Sequence, residues 1–149
     1  MAHNFKDFPE LTNSQMALYY FESPHKQITE NFRATVVKVH DGDTVTLRCG
    51  FRDFDFPIRF SNTNAPELNE PGGHESQAWL EGIILNEEVE VIIDPKERVE
   101  KWGRLLGTIF HKGISINEES IRAGRATSFT NRREGQIPNF TQELMKIWR

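Results

Sequence analysis

Apolar positions recur at helical spacing near the start of the chain and at strand spacing after it. Leu11 to Phe21 reads as a short helix capped by Thr12 or Asn13, with Leu11, Leu18 and Phe21 on one side and Ser23-Pro24 as its stop. A helix this short is marginal in water and must dock, on the body of the chain or on a partner. Ala34 to Val39 is rich in β-branched residues, Asp41-Gly42 signals a turn, and Thr44 to Arg48 alternates again. A third strand spans Phe54 to Ser61: Phe54, Phe56, Ile58 and Phe60 share one face, Asp55, Pro57, Arg59 and Ser61 the other. Pro57 places that strand at an edge or a bulge. A polar loop, Asn62 to Gly73, leads to a helix over Glu75 to Leu85, where Trp79/Ile83 and Leu80/Ile84 repeat at i, i+4. Val89 to Ile93 and Leu105 to Phe110 are two further strands, the second turning at His111-Lys112-Gly113. Ser115 and Glu118 form a capping box for a short helix that stops at Gly124, and Pro138 to Trp148 reads as a final helical turn or two.

Three strands, a helix, two strands and a helix fit a small β-barrel, and the five-stranded OB-fold has this number of strands. The expected class is therefore mainly β with helices (α+β). The chain divides into an N-terminal helical extension, residues 1–31, a barrel domain, residues 32–127, and a C-terminal tail with a short helix, residues 128–149. At 149 residues there is room for one sizeable core and not two. Eighteen Lys+Arg against 22 Asp+Glu give a net charge of −4, which excludes a uniformly basic nucleic-acid coat but not a local basic patch. Such a patch is present in the sequence at Arg122, Arg125, Arg132 and Arg133. The single cysteine, Cys49, rules out an intrachain disulfide framework and a cysteine-built zinc site, and reads as a half-buried small hydrophobe. No apolar run is long enough to span a membrane, and no signal-peptide core is visible near the N-terminus, so a cytoplasmic location is expected.

Polar residues gather at three places in the body: Asp41 to Thr44, Arg59 to Glu67 and Glu100 to Arg104. A tight Asp-Gly-Asp turn projects hard oxygen ligands suited to Ca²⁺ or Mg²⁺. Arg59 lies opposite the apolar face of its strand, where its planar fork is available to a phosphate. Asn64 offers another oxygen, Glu67 follows Pro66 on a stiffened loop, and Arg104 follows a glycine that permits close approach. Two arginines, a carboxylate-held metal and a spare glutamate together suit phosphodiester hydrolysis. Each piece alone has an ordinary explanation: Asp-Gly is a common hairpin turn, and exposed strand arginines are usually just solvated. His40 reads as a surface strand-end residue, His74 and Glu75 as a helix start, and His111 as a turn residue.

The ordered segments VVKVHDGDTVTL, IRFSNTNAPELNEPGG, KWGRLLGTIF and ISINEESIRAGRA resemble the successive motifs of staphylococcal nuclease-like (thermonuclease) domains. The resemblance covers residues 32–127. It implies an OB-fold barrel and a Ca²⁺-dependent endonuclease that cleaves DNA and RNA to 3′-phosphate and 5′-hydroxyl ends. Position by position, it implies Asp43 as the first metal aspartate, Arg59 and Arg104 as phosphate-binding arginines and Glu67 as the catalytic glutamate. The family's second metal aspartate falls on Asn64, and the threonine giving a backbone carbonyl to the metal falls on Ala65. Its lysine-tyrosine pair becomes Lys101-Trp102, still a cation beside a stacking surface that can contact a nucleotide.

Asn64 is the main departure, because an asparagine oxygen coordinates Ca²⁺ without contributing charge, and ligand charge is a leading control on affinity. It points to a weaker or altered metal site, or to lost activity. The family's tyrosines after Gly124 are also missing; ATSFTNRR stands there, with Phe129 as a partial stacking surface. Three roles follow: an active nuclease, a catalytically inactive module of the same fold that binds nucleic acid or a protein, and a component that docks on a protein partner through Tyr19-Tyr20-Phe21 of the N-terminal extension.

Overall fold

Alternating burial shapes every long strand of the computed structural model, which describes residues 3–101 and 103–128. β1 (Phe32–Asp41), β2 (Thr44–Arg48) and β3 (Phe56–Phe60) form an antiparallel meander. After it come the short β4 (Thr63–Asn64), then β5 (Glu88–Ile92), β6 (Leu105–His111), and the two-residue β7 (Ile114–Ser115) and β8 (Thr127–Ser128). β5 pairs antiparallel with β1 and β6, and β6 runs parallel to β3 from Ile58↔Leu105 to Phe60↔Gly107. That parallel pairing closes β1, β2, β3, β5 and β6 into the expected five-stranded barrel. Inward positions Val36, Val45, Leu47, Phe56, Ile58, Phe60, Val91 and Ile109 are at most 1% exposed, so they constitute the core. In β1 the buried set steps from Ala34 and Val36 to Val39, because the register slips between Val36 and Lys38. A bulge of this kind strengthens strand twist and helps bend a sheet into a barrel.

Three helices complete the described chain: α1 (Asn13–Tyr19), α2 (Gly73–Ile84) and α3 (Ile116–Arg122). Leu80 and Ile84 of α2 enter the core while Trp79 and Ile83 pack partly buried against it, as their spacing predicts. α2 begins two residues earlier than expected, because Gly72 takes a left-handed conformation and its carbonyl accepts the Ser76 N–H. Ser115 caps α3 by accepting the Glu118 N–H at 3.3 Å, and Gly124, at φ +74°, ends it. β3 starts at Phe56 rather than Phe54. Asp55 accepts a two-pronged bond from Arg48 (2.9 Å each), and Phe54 instead packs edge-on against His25. The tail helix expected at Pro138 to Trp148 lies outside the described residues, as do Phe129, Arg132 and Arg133.

The N-terminal helix departs from expectation in its facing. Thr12 caps it with a full capping box to Gln15, but Leu11 falls before the cap and is fully buried, whereas Leu18 and Phe21 are 74% and 98% exposed. The anchors flanking α1 are what dock on the barrel, through a polar network the sequence did not advertise. Glu10, side chain 1% exposed, meets Arg52 at 2.5 Å and Arg98 at 3.5 Å. Its Oε2 also accepts the Ile28 N–H, while Arg98 donates to the carbonyls of Leu11 and Ile28. The Leu11 N–H donates to Gln27. Three buried charges thus clip both ends of the lead segment to the loops preceding β3 and β6.

Candidate active site

One rim of the barrel gathers the β1–β2 turn, the end of β3 with the loop after it, and the turn preceding β6. The first of these is the Asp-Gly-Asp hairpin. Its turn is tight because Gly42 abuts α2: a Cβ there would lie 2.0 Å from Ser76 Oγ and 2.7 Å from the Ala65 Cβ. No side chain fits, which is the physical reason for glycine between the two aspartates. The Asp43 N–H donates to Asp41 Oδ1 (3.1 Å), so the turn is also closed by its own side chain.

Asp43 is the centre of the arrangement. Its buried Oδ2 accepts the Ala65 N–H at 2.8 Å and lies 3.3 Å from Arg59 Nη2, while Oδ1 accepts the Thr44 hydroxyl at 3.1 Å. Burial, helped by a hydrogen bond to the Asp41 carboxyl, pushes its carboxyl pKa up to about 7 against the opposing pull of Arg59. Arg59, at the last turn of β3, donates through Nη1 to the carbonyls of Phe60 (3.1 Å) and Thr63 (2.6 Å), which fixes its guanidinium over the rim.

β4 holds Asn64 in place by pairing with Thr127, whose hydroxyl donates to the Asn64 carbonyl at 3.3 Å. Its neighbour Ala65 is buried with its N–H committed to Asp43. Glu67 is exposed on the same loop, where its N–H donates to Glu70 Oε1 at 2.8 Å. Arg104 immediately precedes β6, the strand paired with β3: its Nε and Nη2 reach the two carboxylate oxygens of Glu100 at 3.1 and 3.3 Å, and its Nη1 is 3.5 Å from the Thr44 hydroxyl.

A cleft of about 1000 Å³ joins these groups, and Asp43, Arg59, Asn64, Ala65, Glu67, Lys101 and Arg104 all line it. Every sequence-derived candidate among the described residues therefore reaches one concavity; Trp102 lies outside them. His40 is not among the lining residues: it bonds Thr46 Oγ1 at 2.6 Å, and burial lowers its pKa. His111 pairs with Glu87 at 3.3 Å instead of standing in an open turn. The sequence placed Asp41, Thr44 and Glu100 in its polar runs but gave none of them a role of its own, and all three belong to the cleft or its contacts. The first two belong to the same DGDT run as Asp43, and Glu100 is the i−4 neighbour of Arg104, so spacing held the signal in each case.

The lining holds seven carboxylates, at Asp41, Asp43, Glu67, Glu70, Asp94, Glu97 and Glu100, against three basic side chains. An anionic phosphate meets net repulsion there unless a cation intervenes. Among the described residues no three His, Cys, Asp or Glu side chains form a metal cluster. The donor chemistry nonetheless fits a hard divalent ion: Asp41 and Asp43 place two carboxyl groups on one turn, and Asn64 and Ala65 beside them offer amide and carbonyl oxygen.

Comparison with known proteins agrees with the geometry. The family model described as staphylococcal nuclease homologue matches residues 57–146, which include Arg59, Asn64, Glu67 and Arg104; Asp43 lies ahead of the matched span. A protein named micrococcal nuclease from Shigella flexneri is 28% identical over 80 residues, covering 54% of this chain and 43% of that protein. The chain thus aligns with less than half the length of that relative. With a family model matching most of the chain, and the closed five-stranded barrel that the motifs imply, this protein belongs to the staphylococcal nuclease homologue family.

Proposed function

We propose that this chain is a Ca²⁺-dependent endonuclease that hydrolyses phosphodiester bonds of DNA and/or RNA, leaving 3′-phosphate and 5′-hydroxyl ends. The observation that carries this reading is the convergence of two arginines, a glutamate and a buried aspartate on one cleft. Asp43, the Asn64 amide oxygen and the Ala65 carbonyl, with Asp41 beside them, would hold Ca²⁺, which supplies charge neutralisation at the phosphate. Arg59 and Arg104, brought side by side by the β3–β6 pairing, clamp the non-bridging oxygens as charge builds on them. Arg104 must exchange Glu100 for the phosphate to do so. Glu67, exposed on its loop, takes a proton from water as the water oxygen attacks phosphorus. The P–O5′ bond then breaks, and the 5′ oxygen acquires a proton and leaves. Lys101 adds a cation at the cleft edge, and Trp102 a stacking surface for a base.

Asn64 supports a weakened version of this activity: at the second ligand position it supplies an oxygen and no charge. It also defines the alternative, an inactive module that binds nucleic acid or a protein. Incubating the purified chain with end-labelled single-stranded DNA and RNA in millimolar CaCl₂ separates the two. Cleavage that leaves 3′-phosphates and falls by about two orders of magnitude or more in Glu67→Gln is expected of the nuclease. No cleavage by the parent in any of these mixtures, with salt-sensitive binding retained, would establish the module instead.

A further inference from the structure

Arg104 is carried by a turn whose two ends are both fastened to the N-terminal segment. At the near end, Gly103 sits in a left-handed conformation, φ +86°, and a Cβ on it would lie 2.8 Å from the Cβ of Phe8 and 3.0 Å from its ring. Phe8 therefore packs against the open face of the residue that precedes Arg104, where a side chain would otherwise stand. At the far end, Arg98 donates from Nη1 to the Leu11 carbonyl at 2.9 Å and from Nε to the Ile28 carbonyl at 2.8 Å, beside Glu10. Asn13 reaches the same loop, donating to the Pro95 carbonyl at 3.0 Å. Between these anchors two backbone hydrogen bonds close the turn: Gly103 N–H donates to the Glu100 carbonyl, and Glu100 N–H to the Arg104 carbonyl, both at 2.9 Å.

We propose that the N-terminal segment is a built-in brace for the Arg104 turn, with Phe8 as a positioning residue for the cleft. The distribution of burial favours a brace over a second core. Phe8 is 38% exposed and α1 buries no residue, yet the points that touch the turn or its flanks, Glu10, Leu11 and Ile28, are at most 4% exposed. Glu10, Leu11 and Ile28 all meet Arg98 through a carboxylate or a backbone carbonyl, and Glu10 also meets Arg52 in the loop before β3. Gly103 is bonded directly to Arg104 and hydrogen-bonded to Glu100, so loss of the Phe8 contact shifts Gly103 and with it the Arg104 guanidinium, while Arg59, anchored on β3, stays in place. A displacement of an ångström in one clamp arm is enough to cost on the order of 10²-fold in rate.

The catalytic consequence rests on the nuclease reading; the brace itself does not, and the test separates them. Amide hydrogen exchange of the full chain is followed at Gly103 and Arg104 and, as a reference, at Ile58 to Phe60, in the parent, Phe8→Ala and Phe8→Leu. In parallel, kcat and KM are measured on single-stranded DNA with CaCl₂. Phe8→Ala is expected to speed exchange at Gly103 and Arg104 at least tenfold without affecting the reference strand. It should also lower kcat roughly ten- to a hundredfold with KM little altered, and Phe8→Leu should restore most of both. In an Arg104→Ala background the same change should alter kcat less than twofold, since its route of action is gone. Faster exchange in a chain that cleaves nothing in any version would uphold the brace and defeat the nuclease reading. Unchanged exchange at Gly103 and Arg104, or an active parent whose kcat Phe8→Ala leaves within twofold, would overturn the brace.

Discussion

Replacing Glu10 by alanine removes the one anion from a buried group of three charges. Its carboxylate contacts Arg52 at 2.5 Å and Arg98 at 3.5 Å, all three side chains being at most 3% exposed, and it accepts the Ile28 N–H at 3.2 Å. Two guanidinium groups are left facing each other without a counter-charge, and removing one member of a buried ion pair typically costs about 3–5 kcal/mol. Arg98 retains the Leu11 and Ile28 carbonyls as acceptors, and Arg52 the Lys26 carbonyl, which holds the cost near the lower figure. About 3 kcal/mol corresponds to a fall of roughly 6–12 °C in melting temperature for a chain of this size. Urea and thermal unfolding of the full chain, followed by circular dichroism and tryptophan fluorescence, provide the assay. The control is Arg33→Ala, which breaks pairs with Glu88 and Glu90 whose side chains are all more than half exposed, and which should not shift the midpoint measurably. If Glu10→Ala unfolds within error of the parent or of the control, the buried cluster is not what fastens the lead segment to the barrel.

Gly42→Ala brings a methyl group within 2.0 Å of a Ser76 hydroxyl that is itself held by the Arg125 carbonyl, so overpacking of about 1–3 kcal/mol is expected in the urea midpoint. Asn64→Asp adds a charge at the second ligand position and should tighten Ca²⁺ binding roughly tenfold or more, read by calorimetric titration or by the Ca²⁺ dependence of the melting temperature. The same substitution should raise cleavage of single-stranded DNA at limiting Ca²⁺, and an unchanged Ca²⁺ midpoint would remove Asn64 from the ligand set. Arg104→Lys keeps a positive charge but loses the two-pronged fork, so kcat on single-stranded DNA should fall at least tenfold; a fall of less than twofold would show that charge alone suffices there.

Period-two alternation in β2, β3, β5 and β6 and the i, i+4 pairs of α2 are local properties, so the sequence alone located these elements to within about two residues. The ordered DGDT, R-x4-N-x-P-E and K-W-G-R motifs likewise named Asp43, Arg59, Asn64, Glu67 and Arg104 before any coordinates placed them in one cleft. The facing of the N-terminal helix was not legible. Leu11 looked like a helix-face residue because its spacing to Leu18 fits a helix, and only docking onto the barrel decided that Leu11 is buried while Leu18 is exposed. Glu10, Arg52 and Arg98 gave no signal either. Isolated charges in a sequence read as solvated surface, and their burial becomes affordable only when three segments distant along the chain bring opposite charges and backbone carbonyls together. The sequence by itself determined the strands and the α2 stripe, since those depend on neighbours a few positions away, and its ordered motifs nominated the candidate site residues. Tertiary structure decided which carboxylate is desolvated, that the Ala65 N–H meets Asp43, and that Phe8 rests on Gly103. Each of these is a meeting of segments distant along the chain, which closure into a barrel brings about and no local pattern sets.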